Sequence, residues 1–195
     1  MESAAENPFL MPVEDVFRLQ QGRAVMVTGR IERGRVRKDD TVEIIGLGRS
    51  ATVLIADIEQ HQVRVGAAGA EMNVGLLLRG VATDAVERGQ VLATPGSVSA
   101  QAQFTADVTL LSEEQGGADV VSGDRLRFHI RTAAVWGTVT LPEGVDTVRP
   151  LHGAEVTVVL EAPVALEAGQ SFAFRHHGRA AGSGTVTRRR EQRGD

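Results

Sequence analysis

Cysteine is absent from the 195 residues, and lysine occurs once, at Lys38. Without cysteine the chain has no disulfide, no thiolate metal ligand and no cysteine nucleophile. The single lysine lies between Arg37 and Asp39, so the phosphate-binding motif G-x-x-x-x-G-K-[ST] does not occur. That motif supplies the lysine and the hydroxyl that hold a nucleoside triphosphate and its magnesium ion. We therefore expect no intrinsic hydrolysis of GTP.

Long apolar segments and a basic excess are also missing. No run approaches the ~20 residues that a membrane-spanning helix needs, and residues 1–12 do not have the basic and apolar regions of a secretory signal. We expect a cytoplasmic location and no membrane partner. Because the formal net charge is −4, any contact with nucleic acid has to be local rather than spread over the whole surface.

No group of side chains has the spacing of a catalytic or metal-binding site. Glu14 and Asp15 are adjacent carboxylates, and neighbours on a strand point to opposite faces. The five histidines are scattered and show no H-E-x-x-H spacing. Ser183 lies between Gly182 and Gly184, which indicates a glycine-rich hairpin turn rather than a nucleophile. These observations predict a protein that is not an enzyme and that needs no metal and no cofactor.

The residues that are present predict strands. Arg23–Gly34, RAVMVTGRIERG, is apolar up to Val27 and alternates after Gly29, which predicts a strand with a sharp bend at this glycine. Short β-branched runs separated by Gly and Pro recur along the chain, and Thr94–Gly96 is the best boundary. We predict an all-β fold of two antiparallel β-barrels in tandem. The predicted segments are a disordered N-terminus (1–7), the first barrel (8–97), the second barrel (98–188) and a charged tail (189–195).

Eight motifs in one order resemble a known family. In the first half they are PVEDVF (Pro12–Phe17), VTGRIERG (Val27–Gly34), VEIIG (Val42–Gly46) and NVGLLLRG (Asn73–Gly80). They continue as ERGQVLATPG (Glu87–Gly96), LLSEEQGG (Leu110–Gly117), LPEGV (Leu141–Val145) and FAFRHHGRAAGSGTV (Phe172–Val186). From residue 7 to residue 186 the chain resembles domains II and III of bacterial elongation factor Tu, the GTPase that carries aminoacyl-tRNA to the ribosome. The resemblance implies a translation-factor second domain followed by the elongation factor Tu C-terminal domain. We expect the GTPase domain, which precedes them in the family, to be absent.

The resemblance implies a pocket for the aminoacylated 3′ end of tRNA on the first barrel. Glu14 and Asp15 match an acidic pair that lines the amino-acid pocket, where a carboxylate suits the α-ammonium of the substrate. Asn73 matches an asparagine on the other side of that pocket. Glu59 matches the glutamate that meets the terminal adenosine, and Arg23 matches an arginine near the same terminus.

Two positions of this pocket depart from the family pattern. Gln62 stands where the family has an arginine that touches the ester and the terminal ribose, so a charge and a forked donor are lost. Asp57 stands where the family usually has glycine, and we expect its side chain to crowd or repel RNA phosphate. Both changes predict weak binding of tRNA.

The resemblance also implies a surface for the tRNA stem on the second barrel. Residues 118–124 form a loop that is shorter and more acidic than in the family. His176 and His177 replace what is usually an acidic residue and a glycine. The predicted surface consists of Arg125, Arg127, Arg131, Arg175, His176, His177 and Arg179, whose cations would make binding sensitive to salt.

These expectations point to a binding module of translation elongation without GTP hydrolysis of its own. Its partners would be aminoacyl-tRNA or the ribosome, with a GTPase domain supplied in trans. Two alternatives stay open at this point. The chain is a decoy or immunity protein that sequesters an antibiotic targeting elongation factor Tu, or it is the product of a split or truncated gene.

Overall fold

The computed structural model describes residues 7–82 and 84–189. The predicted disordered N-terminus and charged tail lie outside the described residues, apart from residues 7 and 189. The chain divides into two compact units, Met1–Ser99 and Ala100–Asp195. Both are built from antiparallel strands, and the prediction of an all-β fold with two barrels is confirmed.

Ten strands form the first unit. Seven of them pair in the spatial order β1-β10-β5-β6-β9-β3-β2, β7 adds to β6, and β4 pairs with β8. The strands are β1 (Leu10–Pro12), β2 (Asp15–Leu19), β3 (Ala24–Arg30), β4 (Arg35–Arg37), β5 (Thr41–Gly46), β6 (Arg49–Gln60), β7 (Val63–Val65), β8 (Ala67–Gly69), β9 (Asn73–Arg79) and β10 (Val91–Ala93). A single 3-10 turn, Gln20–Gly22, joins β2 to β3.

The first sheet is closed by the short segment that connects its two outermost strands. Its two outermost strands, β1 and β2, are separated only by Val13 and Glu14. One bent segment therefore pairs with β10 at its beginning and with β3 at its end. Val25 and Val27 point into the enclosed apolar core, and the residues that alternate with them, Ala24, Met26 and Thr28, are only half-buried and face outward.

Strand pairing continues through Gly29, where the sequence predicts a bend. Strand β3 pairs with β9 without a register shift through Gly29 and Arg30. The glycine is needed for a different reason, since a Cβ atom here would press against the carbonyl oxygen of Pro12 and lie 3.2 Å from Cγ of Met11. The requirement comes from the crossing of β1 over β3, which sequence periodicity does not reveal.

Six strands close the second unit into a barrel in the order β11-β14-β13-β12-β15-β16. They are β11 (Ala100–Leu110), β12 (Arg125–Ile130), β13 (Ala133–Thr140), β14 (Gly153–Ala165), β15 (Ser171–His176) and β16 (Arg179–Arg189), with a 3-10 turn at Glu113–Gln115. No helix among the described residues is both long and apolar enough to traverse a lipid bilayer.

The hairpin turn predicted around Ser183 is wrong. Gly182 and Gly184 lie inside β16, and the turn falls earlier, between His176 and Arg179. Phe174 and Phe172 pair directly with these two glycines on the neighbouring strand, and each ring lies over its glycine. The glycines therefore provide space for two core aromatic rings.

Candidate functional site

One row of residues crosses five neighbouring strands on the outer face of the first barrel. In order across β2, β3, β9, β6 and β7 the row is Asp15, Thr28, Gly75, Glu59 and Arg64. Neighbouring strands are about 4.8 Å apart, so the backbones of Thr28 and Glu59 are separated by about 10 Å. Gly75 lies between them without a side chain, which leaves a depression in the sheet surface.

This depression is the floor of an open pocket of about 380 Å³. Four of the six residues predicted for the first-barrel site line the pocket together: Glu14, Glu59, Gln62 and Asn73. They come from three separate places in the sequence, which the fold brings together. The remaining lining residues are Met26, Thr28, Gly29, His61, Val74 and Gly75.

Backbone hydrogen bonds fix Glu14 at the bend between β1 and β2. Its amide donates to the carbonyl of Thr28 at 2.9 Å, and its own carbonyl accepts from Nη1 of Arg88 at 3.1 Å. The side chain is exposed and faces the pocket. A second carboxylate, Glu59, lines the same space from the opposite side of Gly75. The pocket is therefore suited to a cationic group of a ligand.

A two-residue hairpin turn forms one rim of the pocket. His61 and Gln62 connect Gln60 to its partner Val63, with φ values of 50° and 63°. Positive φ at both positions is the geometry of a tight hairpin turn, although neither residue is glycine. His61 was not predicted as a site residue, because the sequence does not show that this turn folds toward β9.

The structure does not bring Asp15 and Arg23 into the pocket lining. Asp15 lies just outside, opposite Thr28, on the outermost strand β2. Arg23 precedes β3 and is five residues from Thr28, which corresponds to about 17 Å along an extended strand.

Asp57 is compensated by a neighbouring cation. Its Oδ2 atom lies 3.2 Å from Nη1 of Arg64, and its Oδ1 atom accepts a hydrogen bond from the amide of Ile58 at 3.2 Å. The pair offsets the repulsion of phosphate that the sequence alone predicts for this carboxylate.

On the second barrel, a second row crosses the outer face from β15 to β13. Arg175 pairs with Arg127, and Arg127 pairs with Trp136. The guanidinium of Arg125 lies 4.2 Å from the centre of the Trp136 ring, and that of Arg127 lies 5.2 Å from it. Trp136 was not predicted as a site residue, although the alternation of residues 133–140 places it on the outer face.

Arg125 is already engaged within the protein. Its Nε and Nη2 atoms donate to the two carboxylate oxygens of Glu161 at 2.7 and 2.8 Å. This forked hydrogen bond raises the pKa of Arg125 and lowers the pKa of Glu161. Burial lowers the pKa of His129, and the positive charges of Arg127 and Arg175 lower it further.

Arg131, which the resemblance placed on the stem surface, is buried. Its side chain is 4% exposed, and it donates to the carbonyl of Ala165 and to the carboxylate of Glu167, both at 2.9 Å. The guanidinium has a structural role at the β12–β13 turn, and it is not offered to a ligand at the surface.

His176 is also buried, whereas His177 is exposed. The two rings stack with their centres 3.9 Å apart. Burial lowers the pKa of His176, and the neighbouring His177 lowers it further, while Asp124, at 3.8 Å, partly opposes this. At the tip of the β15–β16 hairpin, Nη2 of Arg175 donates to the carbonyl of Gly178 at 2.7 Å, and Arg179 begins β16.

Two family matches agree with this architecture. Residues 24–93 match the family described as Elongation factor Tu domain 2. Residues 97–189 match the family described as Elongation factor Tu C-terminal domain. The matches leave only residues 1–23, 94–96 and 190–195 outside. The chain therefore belongs to the elongation factor Tu family, of which it contains domain 2 and the C-terminal domain.

Proposed function

We propose that this protein is a translation-factor module that binds aminoacyl-tRNA and does not itself hydrolyse GTP. The first barrel takes the aminoacylated 3′ end in the pocket above Gly75. The outer face of the second barrel contacts the stem, and a GTPase domain acts in trans. The chain is a binding protein in this proposal, not an enzyme.

The observation that carries the proposal is the convergence of Glu14, Glu59, Gln62 and Asn73 on one pocket. Each supplies a group that the end of an aminoacyl-tRNA requires. The two carboxylates suit the α-ammonium, and the side-chain amides of Gln62 and Asn73 can donate to or accept from the ester and ribose oxygens. Met26 adds an apolar contact for the side chain of the amino acid.

The second barrel supports the proposal through its charge. Arg127 and Arg175 lie side by side on neighbouring strands, beside the exposed edge of Trp136. Adjacent cations on one face suit the phosphate backbone of a duplex, which is recognised without reading its sequence. Because Arg125 is paired with Glu161 and Arg131 is buried, this surface has fewer available cations than the sequence predicts.

The test compares three forms of one tRNA: aminoacylated, N-acetyl-aminoacylated and deacylated. We expect the aminoacylated form to bind most tightly, because only that form carries the α-ammonium. Glu14→Gln should remove most of this preference, and Asp84→Asn, which changes an exposed carboxylate of the same barrel away from the pocket, should keep it. Affinity should fall steeply between about 50 mM and about 200 mM KCl. Equal binding of all three forms would refute the proposal.

A further inference from the structure

We propose that Arg64 is the anion-binding residue of the first-barrel pocket and that it binds the phosphodiester next to the terminal nucleoside of the RNA ligand. This inference rests on the proposed function. It assigns a residue that neither the motifs nor the pocket lining identifies.

The position of Arg64 follows from strand pairing. Arg64 on β7 is the direct partner of Glu59 on β6, and Glu59 lines the pocket. Directly paired residues point to the same face of a sheet, so the guanidinium extends from the outer face one strand beyond the pocket. Its side chain is 75% exposed, and it is therefore accessible to a large ligand.

Asp57 holds the guanidinium in place. One carboxylate oxygen of Asp57 accepts from the backbone amide of Ile58, and the other lies 3.2 Å from Nη1 of Arg64. The side chain of Asp57 is only 14% exposed, so the anchor is itself fixed in the sheet. A guanidinium has five N–H donors, and a contact through one nitrogen leaves a fork that matches two phosphate oxygens.

The charges of the pocket require such a group. Glu14 and Glu59 favour the ammonium end of an aminoacylated nucleoside and repel the phosphates that follow it. Gln62 carries no charge, whereas Arg64, two residues along the same hairpin, supplies one. A ligand with a cation at one end and a phosphodiester beyond it is therefore complementary to the line from the carboxylates to Arg64.

The experiment uses two stable analogues of an aminoacylated 3′ end. Puromycin carries the amino group and the nucleoside but no phosphate, and the trinucleotide analogue cytidylyl-cytidylyl-puromycin adds two phosphodiesters. Binding of both to the full chain is measured over a range of salt for the wild type, Arg64→Gln and Arg64→Lys. Arg35→Gln is the matched control, because Arg35 is an exposed arginine on β4, outside the pocket sheet.

For Arg64→Gln we expect a loss of about five- to tenfold in affinity for the trinucleotide and a decrease of about one in its salt slope, with puromycin unaffected. Arg64→Lys should keep the salt slope, and Arg35→Gln should match the wild type. An equal effect of Arg64→Gln on both analogues, or no effect on either, would overturn the assignment of Arg64. If the wild type binds puromycin and Arg64→Gln changes nothing, only this inference fails. If the wild type binds neither analogue, the proposed function fails with it.

Discussion

Replacing Gly184 by alanine tests the packing of the second barrel most directly. A Cβ atom on Gly184 would lie 2.5 Å from Cζ of Phe172 and 2.8 Å from the carbonyl oxygen of Asp107. Real Cβ atoms essentially never come within 3.0 Å of such neighbours, so both contacts have to open. The carbonyl belongs to the paired strand β11 and the ring to the paired strand β15, so neither can move alone.

The magnitude follows from what surrounds the ring of Phe172. It packs against Phe104, Phe128 and Phe174, with ring centres 5.7, 5.8 and 6.5 Å away. A ring tip that retreats toward these neighbours overpacks the core, which costs about 1–3 kcal/mol. We expect the upper half of that range, because a backbone contact is strained as well. For a domain of this size each kcal/mol lowers the melting temperature by about 4–8 °C.

The assay is urea unfolding followed by the fluorescence of Trp136, the single tryptophan of the chain, which lies in the same barrel. Ser183→Ala is the control, since Ser183 is the adjacent residue on β16 and is exposed, and its unfolding free energy should change by less than about 0.5 kcal/mol. The double variant Gly184→Ala/Phe172→Leu should recover part of the loss, because a smaller side chain makes room for the new methyl group. Equal stability of Gly184→Ala and Ser183→Ala would refute the reasoning.

Three further predictions concern the sites. Gly75→Val should fill the pocket floor and weaken binding of aminoacyl-tRNA at least about fivefold in filter binding, and unchanged binding would contradict the pocket. Because a Cβ atom at this position meets mainly the flexible side chain of Met26, we expect a stability change of about 1 kcal/mol or less. Burial lowers the pKa of His176 below its ordinary 6.5, so folding favours the neutral ring. The contribution of His176 to the free energy of unfolding is therefore fully present above about pH 6.5, and it should decline as the pH falls toward the pKa of this histidine in the folded protein. His176→Asn should flatten the pH dependence of the urea midpoint and leave the contribution of His129, and an identical pH dependence would contradict this. Arg127→Gln should reduce the salt slope of tRNA binding by about one without loss of stability. Arg131→Gln should instead cost more than about 2 kcal/mol of stability, because Glu167 loses its buried partner. A loss of stability in Arg127→Gln, together with a lower salt slope in Arg131→Gln, would contradict these two roles.

The strand content and the two-barrel fold were accessible from sequence because they depend on local patterns. Alternation along residues 133–140 shows which side chains face outward, and glycine and proline mark the ends of strands. The pocket residues came from the resemblance, which supplies partners that are distant in sequence. Periodicity alone cannot pair Glu59 with Gly75 or Arg64, because register depends on how the strands meet.

The errors share one physical cause. From the sequence alone, Gly29 is interpreted as the site of a bend and Gly184 as part of a turn. In the fold each glycine is required by a residue of another strand: Gly29 by the carbonyl of Pro12, and Gly184 by the ring of Phe172. The resemblance places Arg131 on the stem surface, where an arginine side chain is expected to be exposed. Its partner Glu167 follows 36 residues later, and only the folded barrel shows that the two meet.

The bend at Val13 and Glu14 has a thermodynamic consequence. The same short segment completes the circle of strands in the first barrel and carries a carboxylate of the pocket. Separating β1 or β2 from its neighbours therefore dismantles the ligand site as well. A ligand that binds to Glu14 would therefore stabilise the folded barrel. The free energy of unfolding would rise by about 2.7 kcal/mol when the ligand concentration is about 100 times the dissociation constant. A rise in melting temperature would then report occupancy, even for a ligand whose contacts are all at the rim.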